Sequence, residues 1–121
     1  RPLAVAFLDL DYFKQYNDER GHVAGDDLLR TAVARWQGEL RGTDFLARIG
    51  GEEFVLVSPD TTVERVRPLL ERLQTVIPDR QTCSVGVTDY RDGDTGTDFL
   101  NRADAALYRA KEEGRRRIVV W

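Results

Sequence analysis

Apolar and polar positions follow two different periods along this chain, and the switches between them mark out nine elements. "LAVAFL" (Leu3–Leu8) is an unbroken apolar run, the pattern of a strand covered on both faces. "DLDYFKQYNDERGH" then predicts a short helix and a turn at Gly21. In "GDDLLRTAVARWQGEL", the residues Leu28, Leu29, Ala32, Val33, Trp36 and Leu40 share one helical stripe. "DFLARI" and "EEFVLVS" flank Gly50 and Gly51 and predict a hairpin, with the glycines supplying the positive φ of a tight two-residue turn. "TTVERVRPLLERLQTVI" returns to the helical period through Val63, Val66, Leu69, Leu70 and Leu73, with a kink or a late start expected at Pro68. "QTCSVGVTDY" predicts a strand and "RDGDTG" a loop. "TDFLNRADAALYRAKEE" predicts a helix stopped at Gly114, and "RIVVW" a last strand.

The predicted order is β-α-α-β-β-α-β-α-β. Strands separated by helices, with one hairpin in the middle, point to an α/β (α+β) fold with a ferredoxin-like βαββαβ core. The sheet is expected to be central, five-stranded, mostly antiparallel and flanked by helices. At 121 residues the chain is expected to be a single domain with one sizeable core.

Composition narrows the function classes. A formal charge of −3 argues against a nucleic-acid polymer or an anionic membrane as partner, and "RRR" at Arg115–Arg117 is too short to reverse that. Cys83 is the only cysteine, so no disulfide forms within the chain, which fits the reducing cytoplasm. No apolar run approaches a membrane span. A chain that opens directly in a buried strand is expected to be a domain excised from something longer.

The candidate chemistry starts at Asp9, which follows six apolar residues. A carboxylate there needs a metal, an ion partner or loop amides to satisfy it. Asp11 lies on the same face if the strand continues, or caps the following helix if it does not. If "RIGGEEF" runs beside the first strand, its acids approach Asp9 and make an oxygen-only site of the kind that hard cations such as Mg²⁺ prefer. The glycines would then admit a nucleotide close to the backbone. Taken alone, the same residues describe a solvated hairpin tip. Lys14, Lys111 and Arg115 are placed to meet phosphates, although cations near a helix C-terminus are favourable in themselves. Asn17 and Asp26 have donors and acceptors suited to a guanine edge, and His22 reads as a turn or packing residue.

"DLDYFKQYNDERGHVAGDDLL", "RIGGEEF", "CSVGV" and "ADAALYRAKEEGR" together resemble, in order and spacing, the GGDEF domains of bacterial diguanylate cyclases. The resemblance runs from Leu3 to about Arg115, with Glu52 standing where the family accepts Asp or Glu. It implies a fold similar to class III nucleotidyl cyclases and polymerase palms, and condensation of two GTP into cyclic di-GMP with loss of two pyrophosphates. It also implies Mg²⁺ or Mn²⁺, two per active site, held by the Asp9 and Glu52 side chains and the Leu10 carbonyl. Glu53 would support the metals, and an acid at this tip would help deprotonate the attacking 3′-hydroxyl. Gly50 and Gly51 would leave room for the nucleotide. Asn17 and Asp26 would read guanine, and Phe13, Lys14, Lys111 and Arg115 would hold the phosphates. Because one such domain holds one GTP, the implied active species is a homodimer. "RGTD" (Arg41–Asp44) resembles the family's inhibitory RxxD site for the product, with Arg72 as a secondary contact.

Two departures from the family stand out. The "DxLTxLxNR"-like segment that usually precedes the first strand is missing, and Arg116 replaces the usual Asn. The first leaves open whether the domain turns over alone, and the full-length protein could be membrane-anchored through that missing part. The alternative function is a catalytically silent GGDEF domain that acts as a cyclic di-GMP receptor. The complete set of acids, guanine readers and phosphate cations argues against it, and Asp26 argues for GTP over a mixed guanine–adenine product.

Overall fold

The computed structural model describes residues 1–121. Its elements are β1 (Leu3–Leu10), α1 (Phe13–Arg20), α2 (His22–Glu39), β2 (Phe45–Arg48), β3 (Glu53–Pro59), α3 (Val63–Thr75), β4 (Cys83–Asp89), α4 (Gly96–Glu112) and β5 (Ile118–Val120). The five strands form one sheet in the order β2-β3-β1-β4-β5, antiparallel except for the β4–β5 pair. This is the expected α/β architecture, with β1 at the centre of the sheet. No helix is long and apolar enough to cross a membrane.

The two faces of β1 divide the molecule. Ala4, Ala6, Leu8 and Leu10 join the core that α2 and α3 cover, whereas Val5 and Phe7 pack with Phe99, Ala103 and Leu107 of α4. Side chains alternate along a strand, so Asp9 emerges on the α4 face. A slip of one residue would drive it into the apolar core instead. Gly86 on β4 lets α4 lie against the sheet, because a Cβ there would sit 2.1 Å from the Leu107 amide nitrogen and 2.4 Å from the Ala103 carbonyl. On the other face, Trp36 is fully buried, donates to the Leu73 carbonyl at 2.9 Å and meets Phe54 edge-on at 5.0 Å. Truncating a core tryptophan of this kind costs about 3–5 kcal/mol.

Three local expectations are corrected. α3 starts at Val63 behind a Thr62 cap, so Pro68 lies inside the helix and does not delay it. Pro68 is exposed, which leaves the Glu64 carbonyl that it cannot pair facing water. α2 begins at His22, and Gly21 alone separates it from α1, with φ 91° and its amide on the Asn17 carbonyl at 2.7 Å. Finally, Gly50 and Gly51 do not form a two-residue positive-φ turn. Strand pairing ends at Arg48 and Phe54, and neither glycine has a positive φ.

Candidate active site

The β2–β3 loop owes its shape to a clamp, not to turn chemistry. Arg48 Nε donates to both the Gly50 and Gly51 carbonyls at 3.0 Å, and the amides of Ile49 and Gly50 converge on the Glu53 carbonyl. A Cβ on Gly51 would meet nothing within 4 Å, and one on Gly50 only the Glu53 Cβ at 3.6 Å. Neither backbone conformation nor packing within the chain demands glycine at these positions. The space over the loop faces outward, where a ligand would approach. The loop is tied to the centre of the sheet by the Leu10 amide, which donates to the Glu52 carbonyl at 3.1 Å. The Glu52 amide returns no bond to Leu10.

Register then gathers the acids. Asp9 pairs across the ladder with Glu53 on one side and with Ser84 on the other. Asp9 is only 5 % exposed, and its Oδ2 accepts from Lys111 Nζ at 2.6 Å. A buried carboxylate without a counter-charge would be costly, and α4, seated on Gly86, delivers one. Burial and the nearby Asp9 charge push the Glu53 carboxyl above the usual range, against an opposing pull from Lys111. The Glu52 and Glu53 side chains are half-buried. No group of three or more His, Cys, Asp or Glu side chains forms a ready-made metal cage.

Asp11 shares the Asp9 face but caps nothing. Its oxygens accept from Thr82 Oγ1 and Ser84 Oγ, each at 2.6 Å, and from the Arg116 amide at 3.0 Å. This buried anchor joins the end of β1 to the start of β4 and to the segment after α4. The cap position of α1 falls to Tyr12, whose αL backbone (φ 55°, ψ 33°) costs roughly 1–2 kcal/mol for a residue with a Cβ. Beyond Tyr12, α1 opens with the free amides of Phe13, Lys14 and Gln15, while Tyr16 donates back to Tyr12 at 3.0 Å. Phe13 packs against the core and Lys14 is exposed without an ion partner.

Asn17 and Asp26 lie on either side of the α1–α2 junction. Asn17 Oδ1 is buried with no hydrogen-bond partner. A Cβ at Gly25 would fall 1.6 Å from that oxygen, so Gly25 is the floor on which the Asn17 amide rests. Asp26 is exposed, is not a helix cap, and lines a cavity of about 460 Å³ with Leu29, Arg30, Arg48 and Phe54. Sequence reasoning missed Gly25 and Arg48. A glycine inside a helix, at a cost near 1 kcal/mol relative to alanine, was the available signal for the first. Arg115, after the Gly114 stop, has its guanidinium 5.0 Å from the Tyr12 ring centroid and no acidic partner.

The RGTD residues lie elsewhere, at the opposite end of β3. Arg41 Nη2 donates to Asp44 Oδ1 at 3.0 Å and to the Pro59 carbonyl at 2.8 Å, and the buried Asp44 side chain also accepts the Arg41 amide. Arg72 is paired with Glu39 at 3.1 Å, not with Arg41 or Asp44. Arg41 and Arg72 share a cavity of about 270 Å³ with Arg65, Glu39 and Ser58, whose buried hydroxyl has no partner.

With this geometry in view, the chain can be set beside known proteins. Residues 1–117 match the family model described as "Diguanylate cyclase, GGDEF domain". The chain is 44% identical over 98% of its length to diguanylate cyclase DgcP of Pseudomonas aeruginosa, and spans 19% of that protein's length. It superposes with a TM-score of 0.94 on the diguanylate cyclase SiaD of Pseudomonas aeruginosa, solved in complex with its activator SiaC. Identity there is 40%, covering 99% of this chain and 50% of that one. The GGDEF domain of DgcB from Caulobacter crescentus, solved in complex with c-di-GMP, gives a TM-score of 0.93 at 32% identity. That match covers 98% of this chain and 77% of that one. Over nearly its whole length, the chain belongs to the GGDEF domain family of diguanylate cyclases.

Proposed function

We propose that this domain condenses two GTP into cyclic di-GMP with release of two pyrophosphates. The observation that carries the reading is the meeting of Asp9 with the Glu52–Glu53 pair at one end of neighbouring strands, beside a loop whose glycines the chain itself does not need. Two or three carboxylates and an unpaired carbonyl edge are too few to enclose a metal but suit Mg²⁺ or Mn²⁺, which take a few protein oxygens and complete their shell with substrate phosphates. Asp9, Glu52 and the Leu10 carbonyl are the groups that would hold it, with Glu53 in support. When bound, such a cation neutralises phosphate charge and lowers the pKa of the attacking hydroxyl.

The chain's own residues do the remaining work. Lys111, already at Asp9, meets the phosphates together with Lys14 and Arg115, and the free amides from Phe13 onward receive phosphate oxygens at the start of α1. Asp26 accepts from the guanine N1–H and amino group, and the unpartnered Asn17 oxygen accepts a further donor from the base. Glu53, opposite Asp9 in the register and beside the metal-holding acids, is the carboxylate that takes the proton from the 3′-hydroxyl. That hydroxyl belongs to the GTP held by a second copy, so catalysis takes place between two domains of a homodimer. The product returns to Arg41 and Asp44, with Arg72 in support, and slows the enzyme.

The test is GTP turnover with Mg²⁺ over a wide range of protein concentration, with nucleotides separated by chromatography. Cyclic di-GMP forming at a rate that rises faster than linearly with protein supports both the chemistry and the pairing. Absence of product from protein freed of nucleotide and fused to a dimerising helix would overturn it and favour a cyclic di-GMP receptor.

A further inference from the structure

We propose that Tyr12 is a positioning residue whose ring holds the Arg115 guanidinium over the phosphate side of the active site. The inference rests on the reading of Arg115 as a phosphate ligand and adds the device that aims it. Tyr12 is 61 % exposed and adopts a left-handed backbone, a conformation that glycine or asparagine accepts with less strain. Its hydroxyl makes no hydrogen bond, and its side chain does not cap α1. Neither burial, nor capping, nor backbone preference accounts for an aromatic residue here.

Its ring partner does. Arg115 lies 5.0 Å from the Tyr12 centroid, within cation–π range. The Arg115 backbone is fixed by a bond from its amide to the Ala110 carbonyl at 2.9 Å, and it too is left-handed, with φ 64°. The Arg115 side chain has no salt bridge and makes no hydrogen bond. The Tyr12 ring is therefore the one group that engages its charge, and it leaves every guanidinium N–H free to donate. The Asp11 side chain completes the arrangement. By accepting the Arg116 amide it holds the segment after α4 against the residue next to Tyr12. The αL turn at Tyr12 then presents the ring to that segment.

The experiment measures binding of 3′-deoxy-GTP, which cannot condense, and of GMP, which lacks the outer phosphates, both by calorimetry with Mg²⁺. Tyr12→Ala is expected to weaken 3′-deoxy-GTP by roughly fivefold, the size of an exposed cation–π contact, and to leave GMP unchanged. Tyr12→Asn relieves the backbone and folds at least as well, yet shows the same loss. Tyr12→Phe keeps the wild-type affinity. In an Arg115→Ala background, Tyr12→Ala adds nothing. Equal weakening of both nucleotides, additive losses in the double variant, or unchanged 3′-deoxy-GTP affinity in Tyr12→Asn would each overturn the inference while leaving the active-site reading standing. Failure of the wild-type protein to bind 3′-deoxy-GTP would sink both.

Discussion

At the Glu53 end of β3, acids crowd around one lysine and several polar groups have no partner. At its Pro59 end, roughly 20 Å away along the strand, Arg41 and Arg72 are already held by Asp44 and Glu39. The first end gains when a ligand arrives. A cation bound there would relieve the pressure that lifts the Glu53 pKa, and a base would supply the donor that Asn17 Oδ1 lacks. The second end also keeps one unpartnered group, the Ser58 hydroxyl, but its two arginines must surrender internal contacts, so affinity there is a difference between the ligand's bonds and the ones it displaces. On our reading, this suits a substrate site that should fill readily and a product site that should respond only when product accumulates.

Separate variants should break the comparison at one end and leave the other intact. The largest effect is expected from Glu52→Gln, which removes a metal-binding carboxylate from the loop without touching the core. Turnover should fall by at least about a thousandfold with an unchanged melting temperature. At the other end, Arg41→Ala should weaken cyclic di-GMP binding by about ten- to a hundredfold. Inhibition curves should shift accordingly, while the initial rate at zero product stays the same. Overlaid curves would disprove the assignment of Arg41. Asp26→Ser should lower the preference for GTP over ATP by about tenfold, as expected when a site loses an acceptor matched to its base.

The smallest effect concerns stability. Because the folded-state pKa of Glu53 is raised, the native protein keeps that proton to higher pH than the unfolded chain does. Stability therefore declines as pH rises from the ordinary glutamate range through the folded value, and the penalty is complete above it. Glu53→Gln should raise the metal-free melting temperature at neutral pH and leave it unchanged below the ordinary glutamate pKa. Equal shifts at both pH values would point to packing instead.

Much of the fold was legible in the chain because periodicity is a local property. The buried run of β1, the stripes of α2 and α3 and the order of all nine elements follow from it. What was not legible depended on partners far apart in sequence. The shape of the Gly50–Gly51 loop comes from the Arg48 side chain, so turn rules misjudged it. The two open readings of Asp11 were resolved by Thr82, Ser84 and Arg116, more than seventy positions away. Lys111 was expected at phosphates; its contact with Asp9 arises only because Gly86 of β4 lets α4 lie close against the sheet. The Tyr12–Arg115 contact joins residues near opposite ends of the chain and leaves no mark on local pattern.

The central claim is that the two ends of β3 are separate sites with separate tasks. The most direct test is the cyclic di-GMP affinity of the Glu52→Gln protein, measured by calorimetry on nucleotide-free material. The account predicts wild-type product affinity in a protein that no longer turns over GTP. Loss of product binding along with activity would contradict it.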